Sequence, residues 1–95
     1  MASKQIQQVQ RKQQTFSITA PTASSVMLAG DFTQWQEKPI ELKKEPTGVW
    51  RASVELTPGT HRYRFIVDGQ WCDDPSSAIY EPNPYGSRDA VLRVQ

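Results

Sequence analysis

Trp71 and Arg64 are the residues whose types and spacing point most directly to ligand chemistry. The stretch FIVDGQWCDDP, residues 65–75, is apolar up to an Asp68–Gly69 turn and places Trp71 two residues after it. Burial is hardest at a hairpin tip, so an indole there suits stacking against a flat apolar surface of a ligand. A nearby guanidinium adds forked hydrogen-bond donors. We therefore start from the hypothesis that this hairpin presents half of a stacking platform.

The Asp-Gly turn predicts which residues of this hairpin face each other. A two-residue loop of this type favours a type I′ turn, which sets the pairs Val67–Gln70, Ile66–Trp71, Phe65–Cys72 and Arg64–Asp73. Directly paired residues share a face, so Cys72 should point into the core beside Phe65 as a small, unreactive hydrophobe. Trp71 should then lie on the opposite face, with Arg64 as its diagonal neighbour. The alternative is a buried Trp71 with Arg64 lying over its ring as a cation–π lid.

The other two tryptophans occupy different sequence contexts. In WRASVEL, Trp50 alternates in register with Ala52, Val54 and Leu56, so we assign it to the core. Trp35 follows a strand in the polar segment GDFTQWQEKP, where periodicity does not place it. It either anchors the loop on the core or is exposed.

Carboxylates are numerous enough to suggest a glycosidase, which needs two of them facing each other in a cleft. The candidates are Asp31, Asp68, Asp73, Asp74 and Asp89. However, Asp68 serves the hairpin turn, and Asp74 precedes a proline in a loop, where its side chain is expected to cap backbone N–H groups. His61 falls in the apolar row with Tyr63 and Phe65, which indicates a satisfied core or edge histidine and not a catalytic base. We predict no catalytic residues and no enzyme.

The charge balance restricts the class of partner. Eleven basic and ten acidic side chains give a net charge of +1, which leaves no strong field for a phosphate backbone or an anionic membrane. The expected ligand is therefore neutral or weakly charged, with no nucleic acid and no membrane as partner. Single-stranded nucleic acid remains an alternative because Arg62, Arg64 and Trp71 on one strand face could stack bases.

Cysteine usage and the apolar runs indicate a cytoplasmic location. Cys72 is the single cysteine, so an internal disulfide is not possible and a reducing compartment is the simplest home. One cysteine and one histidine do not make a structural zinc site, and we predict neither a metal nor a cofactor. No apolar run approaches the roughly 20 residues of a bilayer span. The start, MASKQIQQVQRKQQ, lacks the apolar stretch of a secretory signal.

Short strands must position these residues. From residue 15 onward an alternation with period two dominates, with turn signals about every 8 to 12 residues and no helical stretch of useful length. This pattern predicts an all-β, immunoglobulin-like antiparallel β-sandwich of about seven short strands over residues 15–95. Residues 1–14 are rich in Gln, Lys and Arg and are expected to form a flexible tail. Alternatively, the tail forms a short helix or strand that recruits a partner.

Four blocks of the sequence resemble a known family. They are VMLAGDFTQW at 26–35, GVW at 48–50, PGTHRYRFIVDGQWCDDP at 58–75 and NPYGSRDAVLRV at 83–94. Together they resemble the glycogen-binding module of the AMP-activated kinase beta subunit. They are also similar to the N-terminal modules of isoamylases and branching enzymes, known as carbohydrate-binding module family forty-eight. The resemblance implies a β-sandwich that binds alpha-1,4-linked glucan, such as glycogen or starch, without catalysis.

The resemblance also implies a set of site residues. By position in the family's motifs, Trp35 and Trp71 would stack on glucose rings and Arg64 would supply the basic group. Tyr85, Ser87 and Asp89 would be the apolar tip, the hydroxyl and the polar group of a loop that grips the sugar. This loop is one residue longer than usual, and Asp89 stands where an asparagine is usual, so a donating and accepting amide is replaced by a carboxylate that only accepts.

The expected partner follows from the same resemblance. It is an alpha-glucan polysaccharide or a maltooligosaccharide. The alternative is a protein-interaction module that docks in trans on a kinase or a glucan-processing enzyme, since related modules pack on catalytic domains.

Overall fold

The computed structural model describes residues 10–95, which form nine β-strands and two short 3₁₀ turns. The strands are β1 (Lys12–Thr19), β2 (Val26–Gly30), β3 (Ile40–Glu41), β4 (Lys43–Lys44), β5 (Val49–Leu56), β6 (Gly59–Val67), β7 (Gln70–Cys72), β8 (Tyr80–Pro82) and β9 (Arg88–Val94). The 3₁₀ turns, Asp31–Thr33 and Trp35–Glu37, follow β2 directly. Across residues 10–95 we find no helix with the length and apolar character needed to span a membrane.

The strands form two antiparallel sheets. The smaller sheet has the order β1-β5-β4, and the larger has the order β3-β2-β6-β9-β8, with β7 paired to β6. β9 pairs with the first half of β6 and β7 with its last three residues, so the two strands share one edge of β6. The predicted all-β antiparallel sandwich is confirmed. Nine strands replace the expected seven because several pairings extend over only two or three residues.

The core lies between the sheets and is built from the inward-facing rows of their strands. Phe16 of the smaller sheet and Tyr63 of the larger meet edge to face, with ring centroids 5.0 Å apart. Leu28 and Phe65 beside them are fully buried. Trp50 is only 8% exposed, and its Nε1 donates to the Ala20 carbonyl at 2.9 Å, which confirms its assignment to the core.

The first strand begins earlier than the sequence suggested. Of the predicted tail, residues 1–9 lie outside the described residues, whereas Lys12, Gln13 and Gln14 belong to β1. Their backbones pair with residues 54–56 of β5. Main-chain pairing extends a strand without any apolar side chain, so the polar composition of these three residues did not indicate it.

Candidate functional site

An open cavity of about 850 Å³ crosses the outer face of the larger sheet. Three parts of the chain line it: residues 34–37 at the second 3₁₀ turn, Arg64 with Trp71 on the β6–β7 hairpin, and residues 83–85 together with Asp89. Five of the six residues that the sequence analysis selected therefore surround one cavity. Ser87 is exposed on the same loop but lies outside the cavity lining.

The β6–β7 hairpin holds Trp71 in the predicted register. Asp68 and Gly69 both have positive φ, at 49° and 80°, as a type I′ turn requires. The observed pairs Ile66–Trp71 and Phe65–Cys72 match the prediction. Trp71 is 42% exposed, whereas Cys72 packs against the core from the other face of the hairpin.

Arg64 lies beside Trp71 and is held from the other side by a carboxylate. Its Cζ is 5.8 Å from the centroid of the indole, and its Nη2 donates to Asp73 Oδ1 at 3.3 Å. Asp73 also accepts a hydrogen bond from Arg88 Nε at 2.9 Å, which links the ends of β7 and β9. The Arg64 Nε is buried without a partner among the described residues. The guanidinium is thus fixed at the cavity floor with part of its donor capacity unused.

The backbone at Trp35 has a left-handed conformation that residues other than glycine rarely adopt. Gln34 and Trp35 both have positive φ, at 50° and 56°, which costs about 1–3 kcal/mol for each residue. The buried Thr33 hydroxyl compensates, because it accepts from Gly30 N at 3.0 Å and lies 2.8 Å from the Trp35 carbonyl oxygen. Trp35 is half-buried and lines the cavity. It is therefore both a loop anchor and part of the cavity wall.

Gly30, at the start of this turn, packs closely against the backbone of β6. A Cβ on Gly30 would lie 2.6 Å from the Arg62 carbonyl oxygen and 2.7 Å from Phe32 Cε1, so a side chain does not fit there. Asp31 Oδ2 accepts a hydrogen bond from the Arg62 backbone N–H at 3.1 Å. These two contacts fix where the turn leaves the sheet and hence where Trp35 stands.

Asn83 organises the loop that closes the cavity from the side opposite Trp35. Its Oδ1 accepts from the backbone N–H groups of Tyr85 and Ser87, at 3.0 and 3.1 Å. The loop tip has Gly86 at φ +78°, a conformation that favours glycine. Tyr85 precedes it and is 90% exposed. The loop therefore has a fixed base and a freely accessible aromatic tip.

Asp89 lines the cavity beside this loop but is almost fully buried. It is 4% exposed; its Oδ2 accepts from Arg62 Nε at 3.1 Å and its Oδ1 from Asn83 Nδ2 at 3.0 Å. The resemblance implied a polar group that touches the ligand, whereas here the carboxylate is engaged by two protein donors. Asp89 supports the cavity wall through its hydrogen bond with Asn83.

Several residues of the cavity were not expected from the sequence. They are Gln34, Gln36, Glu37, Asn83 and Pro84. For the loop, the run Asn-Pro-Tyr-Gly is a turn signal that could have indicated Asn83 as its organising residue. For residues 34–37 the sequence carries no comparable signal, because the two left-handed residues there are not glycines.

The other carboxylates and the histidine serve the fold. Asp68 Oδ1 accepts from the backbone of Ser24 and Ser25. Asp74 accepts from Ser76 N at 2.9 Å, as predicted for a capping residue, and from the Tyr63 hydroxyl at 2.5 Å. Burial, together with this hydrogen bond, raises the pKa of the Tyr63 hydroxyl above its usual value of about 10.

His61 also has a structural partner. Its Nε2 lies 2.8 Å from the Thr57 carbonyl oxygen, which requires a proton on that nitrogen. Its ring meets Phe32 edge to face with centroids 5.9 Å apart. This agrees with the predicted satisfied edge histidine.

Similar proteins contain this domain as a small part of a longer chain. The chain is 41% identical over 79 residues to protein PTST homolog 2, chloroplastic, of Arabidopsis thaliana, covering 82% of this chain and 15% of that protein. It is 34% identical over 85 residues to the 1,4-alpha-glucan branching enzyme GlgB of Lactobacillus acidophilus, covering 84% and 13%. It is 39% identical over 70 residues to the 5′-AMP-activated protein kinase subunit beta-1 of Rattus norvegicus, covering 74% and 24%.

The family itself is matched over most of the chain. Residues 14–95 match the family described as the glycogen recognition site of AMP-activated protein kinase. This range includes both sheets apart from the first two residues of β1, and it includes every residue of the cavity. The chain therefore belongs to the family of the glycogen recognition site of AMP-activated protein kinase.

Proposed function

We propose that this domain binds alpha-1,4-linked glucan without catalysis, by stacking glucose rings on Trp71 and Trp35. The observation that carries the proposal is the half-exposed indole of Trp71 beside Arg64 in an open cavity that Trp35 also lines. Membership of a glycogen-recognition family supports a carbohydrate as the ligand. The name of the 1,4-alpha-glucan branching enzyme agrees with an alpha-glucan.

The chemistry of glucose matches these side chains. Axial hydrogens give the pyranose ring an apolar face, which a flat indole covers with large area and little loss of side-chain entropy. The hydroxyl groups around the ring edge accept hydrogen bonds from a guanidinium, which Arg64 supplies beside Trp71. Tyr85, almost fully exposed at the loop tip, closes over the ligand from the opposite side. Two indoles that line one cavity can stack on different rings of the same glucan chain.

The openness of the cavity predicts weak binding of each domain. A site of about 850 Å³ that is open to solvent receives a few sugar rings and buries only part of each. We expect dissociation constants of roughly 10 μM to 1 mM for short maltooligosaccharides. Retention on glycogen is stronger, because a branched polymer keeps many further chain ends close to a domain that dissociates from one of them.

The absence of catalysis is part of the proposal. A glycosidase needs one carboxylic acid and one carboxylate facing the same bond, with both free to act. Of the carboxylates considered, Asp73, Asp74 and Asp89 each accept at least two hydrogen bonds from the protein. We expect no reducing sugar to be released when the protein is incubated with glycogen.

Affinity electrophoresis tests the proposal directly. Native gels with and without glycogen compare the wild type with Trp71→Ala, Trp35→Ala and a matched control, Ile79→Ala, which shortens an exposed apolar side chain outside the cavity. Glycogen should retard the wild type and Ile79→Ala, should not retard Trp71→Ala, and should retard Trp35→Ala less than the wild type. Equal retardation of Trp71→Ala and the wild type would refute stacking on that indole.

Docking in trans on a kinase or a glucan-processing enzyme is the second candidate. It is favoured by the relatives, in which the matching domain is a quarter or less of a kinase subunit or an enzyme. The same gels separate the two proposals. A module that only docks on protein would migrate equally with and without glycogen when no partner is added.

A further inference from the structure

Building on the proposed glucan site, we infer that Asn83 is a further ligand-contacting residue and that Asp89 is the residue that positions it. Both belong to the side of the cavity opposite Trp35, and both line it. The inference rests on the direction in which the Asn83 amide points and on the donors that the protein leaves unused.

The orientation of the Asn83 amide is determined by its partners. Its Oδ1 accepts from Tyr85 N and Ser87 N, at 3.0 and 3.1 Å, and so uses both of its lone pairs. Its Nδ2 lies 3.0 Å from Asp89 Oδ1. A reversed amide would place the NH₂ group against two backbone donors and the oxygen against a carboxylate. Only one orientation satisfies every partner.

One N–H of this amide remains available. The nitrogen carries two protons, and within residues 10–95 Asp89 is the single acceptor that pairs with it. Asn83 is half-buried and contributes to the cavity wall. The second N–H therefore can donate to a sugar hydroxyl that enters the cavity.

Asp89 is held where it can orient this amide. Its Oδ2 accepts from Arg62 Nε at 3.1 Å, and the same guanidinium donates to the Pro82 carbonyl at 2.8 Å and to Glu81 Oε1 at 3.0 Å. Arg62 thus ties the carboxylate to the start of the loop. With 4% exposure, Asp89 itself offers little surface to a ligand and acts through Asn83.

This arrangement accounts for the carboxylate at position 89. An amide donor suits a hydroxyl-rich ligand, and a carboxylate lacks the donor. Asn83 of the loop supplies the donor that an asparagine at position 89 would have given. The carboxylate of Asp89 accepts a hydrogen bond from the Asn83 amide and so fixes its orientation. Both features belong to one hydrogen-bonded pair whose members lie six positions apart in the chain.

A swapped pair of substitutions separates contact from positioning. Asn83→Asp alone places two carboxylates face to face, and Asp89→Asn alone sets amide protons against Arg62 Nε or Asn83 Nδ2. Combined, they restore the internal bonds with donor and acceptor exchanged: the amide at 89 donates to the carboxylate at 83, which still accepts from Tyr85 and Ser87. The double variant lacks the N–H that faces the ligand from position 83.

Calorimetric titration with maltoheptaose and thermal denaturation are measured on all variants of the full chain. Each single variant should have a lower Tm and an affinity at least about fivefold weaker than the wild type. The double variant should recover most of the Tm but stay about three- to tenfold weaker in affinity, the range expected for one lost hydrogen bond. Glu81→Gln is the matched control: it removes another carboxylate beside Arg62 and should bind within about twofold of the wild type.

Each outcome decides one part of the inference. A double variant that regains both Tm and wild-type affinity would overturn the contact by Asn83, because the pair would then only hold the loop. A double variant that does not regain Tm would overturn the positioning by Asp89. If the wild type itself does not bind maltoheptaose, the proposed glucan site fails, and the Tm measurements still test the positioning separately.

Discussion

The guanidinium of Arg64 lies over the indole of Trp71, with Cζ 5.8 Å from the ring centroid, and Asp73 holds it there from the side. A cation above an aromatic face contributes about 0.5–1 kcal/mol at a partly exposed site. The contact covers part of the indole and leaves 42% of the residue accessible. The cation–π pair and an accessible stacking surface are therefore compatible, although the sequence posed them as alternatives.

The Arg64 side chain is expected to contribute directly to ligand affinity. Arg64→Ala removes a charged donor and the cation above Trp71, and should weaken maltoheptaose binding at least about tenfold, since charged hydrogen bonds contribute about 1.5–3 kcal/mol. Arg64→Lys keeps the positive charge but lacks the planar guanidinium, so its affinity for maltoheptaose should lie between those of the wild type and Arg64→Ala. Calorimetric titration measures both. Wild-type affinity in Arg64→Ala would show that the guanidinium only covers the indole.

The three tryptophans should differ sharply in their effect on stability. Trp50→Ala empties a core position that is 8% exposed and should cost about 3–5 kcal/mol, a large part of the stability of a small domain. Trp71→Ala should cost about 1 kcal/mol, or about 4–8 °C in Tm. Thermal denaturation followed by circular dichroism compares them. Similar losses in the two variants would mean that Trp71 packs as a core residue.

The sequence predicted those parts of the site that depend on local rules. The Asp68–Gly69 turn determines the register of its hairpin by backbone geometry alone, so the outward face of Trp71 could be inferred. Alternation in β5 identified Trp50 as a core residue for the same reason. The all-β fold followed from the same period of two.

The remaining parts depend on contacts that a local pattern does not contain. The orientation of Trp35 depends on a left-handed backbone at Gln34 and at Trp35 itself, and neither residue is a glycine. Asp89 is buried because Arg62, which is 27 positions away in the chain, donates to it. A pattern of residue types does not reveal such a partner, and the contact of Asp89 with the ligand was implied by the resemblance alone. The cytoplasmic location inferred from the lone cysteine stays a prediction.

The Thr33 hydroxyl should affect both the stability of the fold and the binding of glycogen, because it supports the loop that carries Trp35. Thr33→Val keeps the shape of the side chain but removes the hydroxyl next to Gly30 N and the Trp35 carbonyl, at a cost of about 1–3 kcal/mol. Because the left-handed backbone at Trp35 loses its support, glycogen retardation should also fall. Thr33→Ser restores the hydroxyl and should recover most of both. If Thr33→Val destabilises the protein yet binds normally, the position of Trp35 does not matter to the ligand.

Salt dependence distinguishes a neutral sugar from a nucleic acid. Stacking and neutral hydrogen bonds release few counterions, so the affinity for maltoheptaose should change less than about twofold between about 50 and 200 mM salt. A single-stranded oligonucleotide bound through Arg62 and Arg64 would dissociate steeply over that range. Tight binding of an oligonucleotide with a steep salt slope would favour the nucleic-acid alternative over the glucan.

Tyr63 should make the fold sensitive to alkaline pH. Burial and the hydrogen bond to Asp74 raise the pKa of its hydroxyl in the native state, whereas in the unfolded chain it ionises near its usual value of about 10. The native state therefore binds more protons than the unfolded state above that pH, and stability falls as pH rises. Below a pH of about 10, the stabilisation that the protonated Tyr63 hydroxyl provides is fully present.

Tyr63→Phe isolates this effect. The variant loses the hydrogen bond to Asp74, so at neutral pH it should be less stable by about 1 kcal/mol. It also loses the titrating group, so its Tm should decline less steeply than that of the wild type between pH of about 9 and 11. Parallel Tm curves for the two proteins across this range would show that Tyr63 ionises as readily in the native state as in the unfolded chain.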